Sequence, residues 1–128
     1  MIRDALKLAV PFVIAFLLSA CRTPVPVYDV TAAPVTPAPA SLADVQRAIT
    51  KAGVALGWQM KPVAPGKMIG TLNIREHTAV VDITFDTKRY SIKYKESTNL
   101  NYDGTNIHPN YNGWIQNLDK QIRVNLIP

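Results

Sequence analysis

Three successive stretches of this chain alternate between apolar and polar residues, and that alternation restricts the fold more than any other feature. In Lys67 to Arg75, Met68, Leu72 and Ile74 share one face while Thr71, Asn73 and Arg75 share the other. Ala79, Val81, Ile83 and Phe85 alternate with Val80, Asp82, Thr84 and Asp86; Tyr90, Ile92 and Tyr94 alternate with Ser91, Lys93 and Lys95. Successive side chains of a strand point to opposite faces, so a period of two with one polar face specifies an antiparallel sheet covered on one side only. The intervening Glu76-His77-Thr78 and Asp86-Thr87-Lys88 are hairpin-length. Trp58 to Val63 supplies a fourth, earlier strand, followed by a turn at Ala64-Pro65-Gly66. Pro62 cannot donate to a ladder, which confines that strand to an edge.

A covered face needs a cover, and two helical patterns flank the strands. Ser41 and Asp44 have the spacing of a capping box, and Leu42, Val45, Ile49, Ala52 and Leu56 then recur at helical intervals. That helix ends near Gly57, and Gly53 within it costs about 1 kcal/mol relative to alanine, which predicts a fraying last turn. A second helix follows Asn110 or Asn112 as cap and presents Trp114, Ile115, Leu118, Ile122 and Leu126. The expected fold is α+β in the order α-β-β-β-β-α, a four-stranded antiparallel meander with both helices on its apolar face. It occupies residues 41–128 as a single domain.

Ahead of that domain stand two segments of different character. Residues 1–20 carry Arg3 and Lys7 before an apolar run, Leu8 to Leu18, and close on Leu18-Ser19-Ala20-Cys21. The run falls well short of the roughly 20 apolar residues that span a bilayer, and its plan is that of a secretory signal. Residues 22–40 contain Pro24, Pro26, Pro34, Pro37 and Pro39. Proline fixes φ and withholds a donor, so residues 21–40 read as an extended, solvated spacer.

The run Leu18-Ser19-Ala20-Cys21 resembles the lipobox of bacterial lipoproteins. The resemblance implies cleavage before Cys21 and acylation of its thiol, with residues 1–20 as signal peptide. It also implies anchoring to the membrane by acyl chains, two or three of which hold where one does not. Arg22, where aspartate would favour inner-membrane retention, implies the outer membrane facing the periplasm, with a plasma-membrane lipoprotein as the alternative. Cys21 is the only cysteine, so the domain folds without disulfides. Tyr90 to Trp114, with its Tyr-x-Ile-x-Tyr and its Ile107-His108-x-x-Tyr111-Asn112-x-Trp114, is similar to a pattern in small proteobacterial lipoproteins of uncharacterised function. That likeness implies no residue role.

Candidate chemistry concentrates in the polar stretch Thr98 to Asn110. His108 lies near Asp103, an arrangement suggestive of a base and its orienting carboxylate, with Asn99 and Tyr102 close in sequence. No nucleophile with a recognisable elbow accompanies them. A histidine pinning the loop onto the last helix is the competing reading. His77 falls in a predicted turn, some thirty residues from His108, without the clustered spacing of a zinc site. No motif requires a metal or cofactor. The stretch Lys88 to Lys95 interleaves basic and aromatic residues, but alternation sends the tyrosines inward and the lysines outward. The net charge of +5 falls to +4 without Arg3, Lys7 and Asp4, a mild excess that makes no nucleic-acid footprint.

The expectation is therefore a lipid-anchored envelope protein with a non-catalytic binding domain and an envelope protein as partner. Its binding surface would be the polar sheet face, an edge strand or the loop bearing Asn99, Tyr102, Asp103 and His108. The alternative is a small periplasmic hydrolase or ligand-binding enzyme centred on Asp103 and His108.

Overall fold

The computed structural model describes residues 22–37 and 41–128. The leader and Cys21, with the expectations attached to them, lie outside the described residues. Local chemistry sets the first helix as its sequence suggests. The Ser41 hydroxyl accepts from the Asp44 backbone N–H at 3.0 Å, and α1 runs Leu42–Ala55 with Val45, Ile49 and Ala52 fully inside. Gly53 is not a point of fraying. It is buried, and a Cβ there would sit 2.3 Å from the Met60 sulfur. Its carbonyl accepts from the backbone N–H of Leu56 and Trp58, turning the chain directly into the next strand. The glycine lets helix and strand approach, which outweighs its cost in helix propensity.

That strand, β3 (Gln59–Ala64), opens a run of hairpins through β4 (Lys67–Ile74), β5 (His77–Phe85) and β6 (Arg89–Thr98). β3 holds an edge, as Pro62 requires. Met68, Leu72, Ala79, Val81, Ile83, Phe85, Tyr90 and Ile92 are buried, whereas Lys93 and Lys95 are exposed. Tyr94 is only half-buried, at the rim, with its hydroxyl 2.8 Å from Ser97 Oγ.

The sheet has five strands, not four: β2 (Val30–Pro34) is the additional one, and the order is β2-β6-β5-β4-β3. The additional strand comes from the segment read as spacer. β1 (Val25–Pro26) and β2 (Val30–Pro34) are followed by α1, and β2 pairs antiparallel with β6, Val30 opposite Ile92 and Pro34 opposite Arg89. Val30, Ala33 and Val35 are buried. Prolines are tolerated here because they fall at strand ends and on an edge, where a missing N–H breaks no central ladder. Apolar side chains between the prolines supply the reason to pack. A solvated linker throughout residues 22–40 is therefore incorrect, and the fold starts before Ser41.

The final helix, α2 (Pro109–Leu126), buries Tyr111, Ile115, Leu118 and Ile122 in the same core as α1 and the sheet. Its cap is His108, not Asn110 or Asn112: the imidazole Nδ1 accepts from the Asn110 N–H at 3.1 Å. Pro109 follows at the first helical position, where no N–H is needed. Asp119 fixes the helix over β6. It is the buried charged residue of the described core, and it accepts from the Tyr90 hydroxyl on one side and from Arg123 Nη2 at 3.0 Å on the other. Burial first, then the hydrogen bond to this carboxylate, push the Tyr90 phenol far above its ordinary value. The phenol is a permanent donor. Among the described residues no helix is long and apolar enough to cross a membrane.

Candidate functional site

The strand registers give the domain two ends. Thr98 of β6 pairs with Thr78, and His77 with Ile74, at one end; Tyr90 pairs with Phe85, and Thr84 with Lys67, at the other. Eight residues separate Thr98 from Tyr90, which at about 3.3 Å per residue is roughly 26 Å. The loop that carries the expected site lies at the Thr98 end. The larger clefts described below lie at the Tyr90 end.

The loop is ordered by its own hydrogen bonds. Asn99 and Asn101 take the left-handed conformation, with φ of 58° and 54°, which asparagine tolerates better than most residues. Asn99 Nδ2 donates to the Glu76 carbonyl at 2.8 Å, and the Asn99 carbonyl accepts from His77 Nδ1 at 2.8 Å. Tyr102 stacks on Tyr94 with ring centroids 4.0 Å apart, and Tyr94 meets Tyr111 edge-on. Asp103 closes a turn, its Oδ1 accepting from the N–H of Asn106 at 2.7 Å and of Thr105 at 2.9 Å. Those backbone donors, Asn106 foremost, hold its carboxyl below the usual range. Leu100 and Ile107 are buried, as packing against the last helix demands, and the short strand β7 (Asn106–Ile107) pairs with β1.

Asp103 and His108 therefore point to separate tasks. Among the described residues no hydrogen bond joins them: the carboxylate serves its turn and the imidazole serves the helix cap. The partner His108 does find is His77, with ring centroids 6.3 Å apart, and His77 also lies 6.3 Å from Trp114. The backbone sets the tautomers. A carbonyl can only accept, so His77 Nδ1 carries a proton; a backbone N–H can only donate, so His108 Nδ1 carries none. Burial, with Arg22 and His77 nearby, keeps His108 below the ordinary imidazole value and favours this neutral form. Spacing along the chain gave no sign that the two rings would meet. Among the described residues no group of three or more His, Cys, Asp or Glu is placed to hold a metal ion.

At the opposite end an open cleft of about 730 Å³ separates the outer face of α1 from the edge strand β3. Leu42, Pro62, Val63 and Pro65 form apolar walls, while Gln46, Arg47, Thr50 and Lys51 present polar groups from the helix. Arg47 and Lys51 also border a second cleft, about 490 Å³, which reaches Pro37, Leu126 and Pro128. Arg47 bonds Asp44 at 2.8 Å, both side chains remaining largely in solvent. Neither cleft touches Asn99, Tyr102, Asp103 or His108. The sequence signal for the first cleft was available: Arg47 and Lys51 are one helical turn apart on the side of α1 away from its apolar set, beside an edge strand kept free by proline.

No protein-family model, no curated protein and no solved structure matches this chain.

Proposed function

We propose that this chain is an envelope lipoprotein, anchored through Cys21, whose domain is a non-catalytic module that binds another envelope protein. The observation that carries the binding reading is the cleft between α1 and β3, with apolar walls, Arg47 and Lys51 on its lip, and a strand edge along one side. Those features suit an extended segment that brings an apolar side chain and a carboxylate. The engagement of Asp103 and His108 with backbone groups supports an architectural role for the loop over catalysis.

The test has two parts. Intact mass of the membrane-extracted protein is expected to show an amino terminus at acylated Cys21, and Cys21→Ser is expected to release the protein from membranes. A photoreactive residue at Val63, in intact cells, is expected to give one discrete protein adduct that disappears in Arg47→Glu/Lys51→Glu. An adduct that survives that double substitution, or that forms only from a probe at Tyr102, sinks the cleft reading.

A further inference from the structure

The docked amino-terminal segment shortens the distance available between anchor and domain. Arg22 Nη2 reaches Asn110 Oδ1 at 3.4 Å, and three residues later β1 begins. β1 is then held on both sides of its ladder. Val27 N–H donates to the Thr105 carbonyl at 3.0 Å, Tyr28 N–H donates to Asn112 Oδ1 at 2.9 Å, and Asn112 Nδ2 donates to the Pro26 carbonyl at 2.9 Å. Beyond it, Asp29 accepts from Tyr94 N–H and Val30 enters the sheet.

Four residues separate Cys21 from Val25, which at about 3.5 Å each reach at most ~14 Å. A free spacer of nineteen residues would reach roughly 60 Å at 3.1 Å per residue. The headgroup layer on one side of a bilayer is about 5–7 Å deep. A leash of ~14 Å that starts at an acylated residue spans that layer and little more.

We infer that the face built by Arg22, Tyr28, Tyr102 and Thr105 is seated on phospholipid headgroups, and that the α1–β3 cleft opens away from the bilayer. This rests on the acylation of Cys21 proposed above. The chemistry of the face agrees: Tyr28 and Tyr102 are 37% and 41% exposed, and Arg22, which reaches Asn110, is exposed too. Tyrosine and arginine are the side chains that sit at the membrane–water interface, with an apolar body and a polar tip. The cleft is at the far end of the strands, roughly 26 Å away by strand rise.

Full-length acylated protein is reconstituted in phosphatidylethanolamine–phosphatidylglycerol vesicles, with a dye on a cysteine introduced as Thr105→Cys or Lys88→Cys. Both positions are exposed, one at each end. Headgroup-spin-labelled lipid is expected to quench the dye at 105 severalfold more than the dye at 88. A twenty-residue Gly/Ser insertion after Thr23 is expected to abolish the difference. Equal quenching at the two positions overturns the orientation, and a difference that persists with the insertion overturns the short leash as its cause. An unmodified thiol in the mass spectrum overturns the lipoprotein reading itself. Acylated protein with equal quenching overturns the orientation alone.

Discussion

The two edges of the sheet are made from similar material and behave differently. β2 contains Val30 and ends at Pro34; β3 contains Val63 beside Pro62. On β2, Val30 and Ala33 are buried, and Val35 just beyond is nearly inaccessible. On β3 only Met60 is partly covered, and Val63 is 43% exposed. The difference lies in what each edge faces. β2 lies beside β6, over which α2 is fixed by Asp119, so its inward side chains complete the core. β3 meets α1 closely where Met60 packs on Gly53 and then stands off from it across an open cleft. Proline marks an edge in both cases. Burial is decided by whether the inward side chains of that edge reach the common core.

The largest expected effect tests whether β2 belongs to the core. A chain starting at Thr36 loses the burial of Val30, Ala33 and Val35. At about 1.5–3 kcal/mol for each buried valine, that is a large fraction of the 5–15 kcal/mol that holds a small domain. Urea denaturation is expected to show a collapsed or absent cooperative transition relative to residues 22–128. A midpoint unchanged by the truncation would return the segment to a spacer.

Single substitutions sharpen the same contrast. Val30→Asp buries an unpaired charge and is expected to cost about 3 kcal/mol or more. Val63→Asp, on the open edge, should fall within about 0.5 kcal/mol of wild type by the same measurement. Comparable losses at both positions would mean that the two edges are equally packed.

A smaller effect reports how β3 is held at its covered end. Gly53→Ala should gain up to about 1 kcal/mol from helix propensity, but its new methyl displaces Met60. The gain is expected only in a Met60→Ala background. A double-mutant cycle measures the coupling, and additive effects would show that Gly53 and Met60 do not compete for space.

The smallest effect concerns the cap of α2. His108 has its folded-state value depressed below the unfolded imidazole, chiefly by burial. The unfolded chain then binds more protons across that window, so stability rises with pH there. The contribution is fully present above about pH 6.5, the unfolded value, and is lost as pH falls toward the folded one. His108→Asn keeps a capping acceptor without titrating, and its stability relative to wild type is expected to improve between pH 7 and 5. A relative loss on acidification would show that the ring is charged in the fold.

What the sequence made legible were the features with local causes. Ser41 and Asp44 announced α1, and alternation gave β4, β5 and β6 with their inward faces. β2 lacked such a cause. Its partner is some sixty residues away, and a bulge at Ala32, with φ of 51°, breaks the period of two so that Val30 and Ala33 both point inward. His108 as helix cap was readable from Pro109, which favours the first helical position; the asparagines beyond it drew the assignment too far along the chain. The approach of His77 to His108 depends on β5 and α2 meeting at one end, which no spacing along the chain encodes. Of the four loop residues singled out, Asn99, Asp103 and His108 are engaged by local backbone and Tyr102 by another tyrosine. The cleft at the other end is a product of tertiary packing, and only its two cations and its proline-marked edge were legible in the sequence.

The pairing of β2 with β6 also sets an order of events during synthesis. β2 is made early but has no partner until Ile92 has emerged, and β7, the partner of β1, comes later still. Loop closure over that span precedes any reward, which places completion of the sheet late in folding. These amino-terminal strands are thus among the first to be translated and among the last to become structured. Their docking signals that the whole domain has arrived.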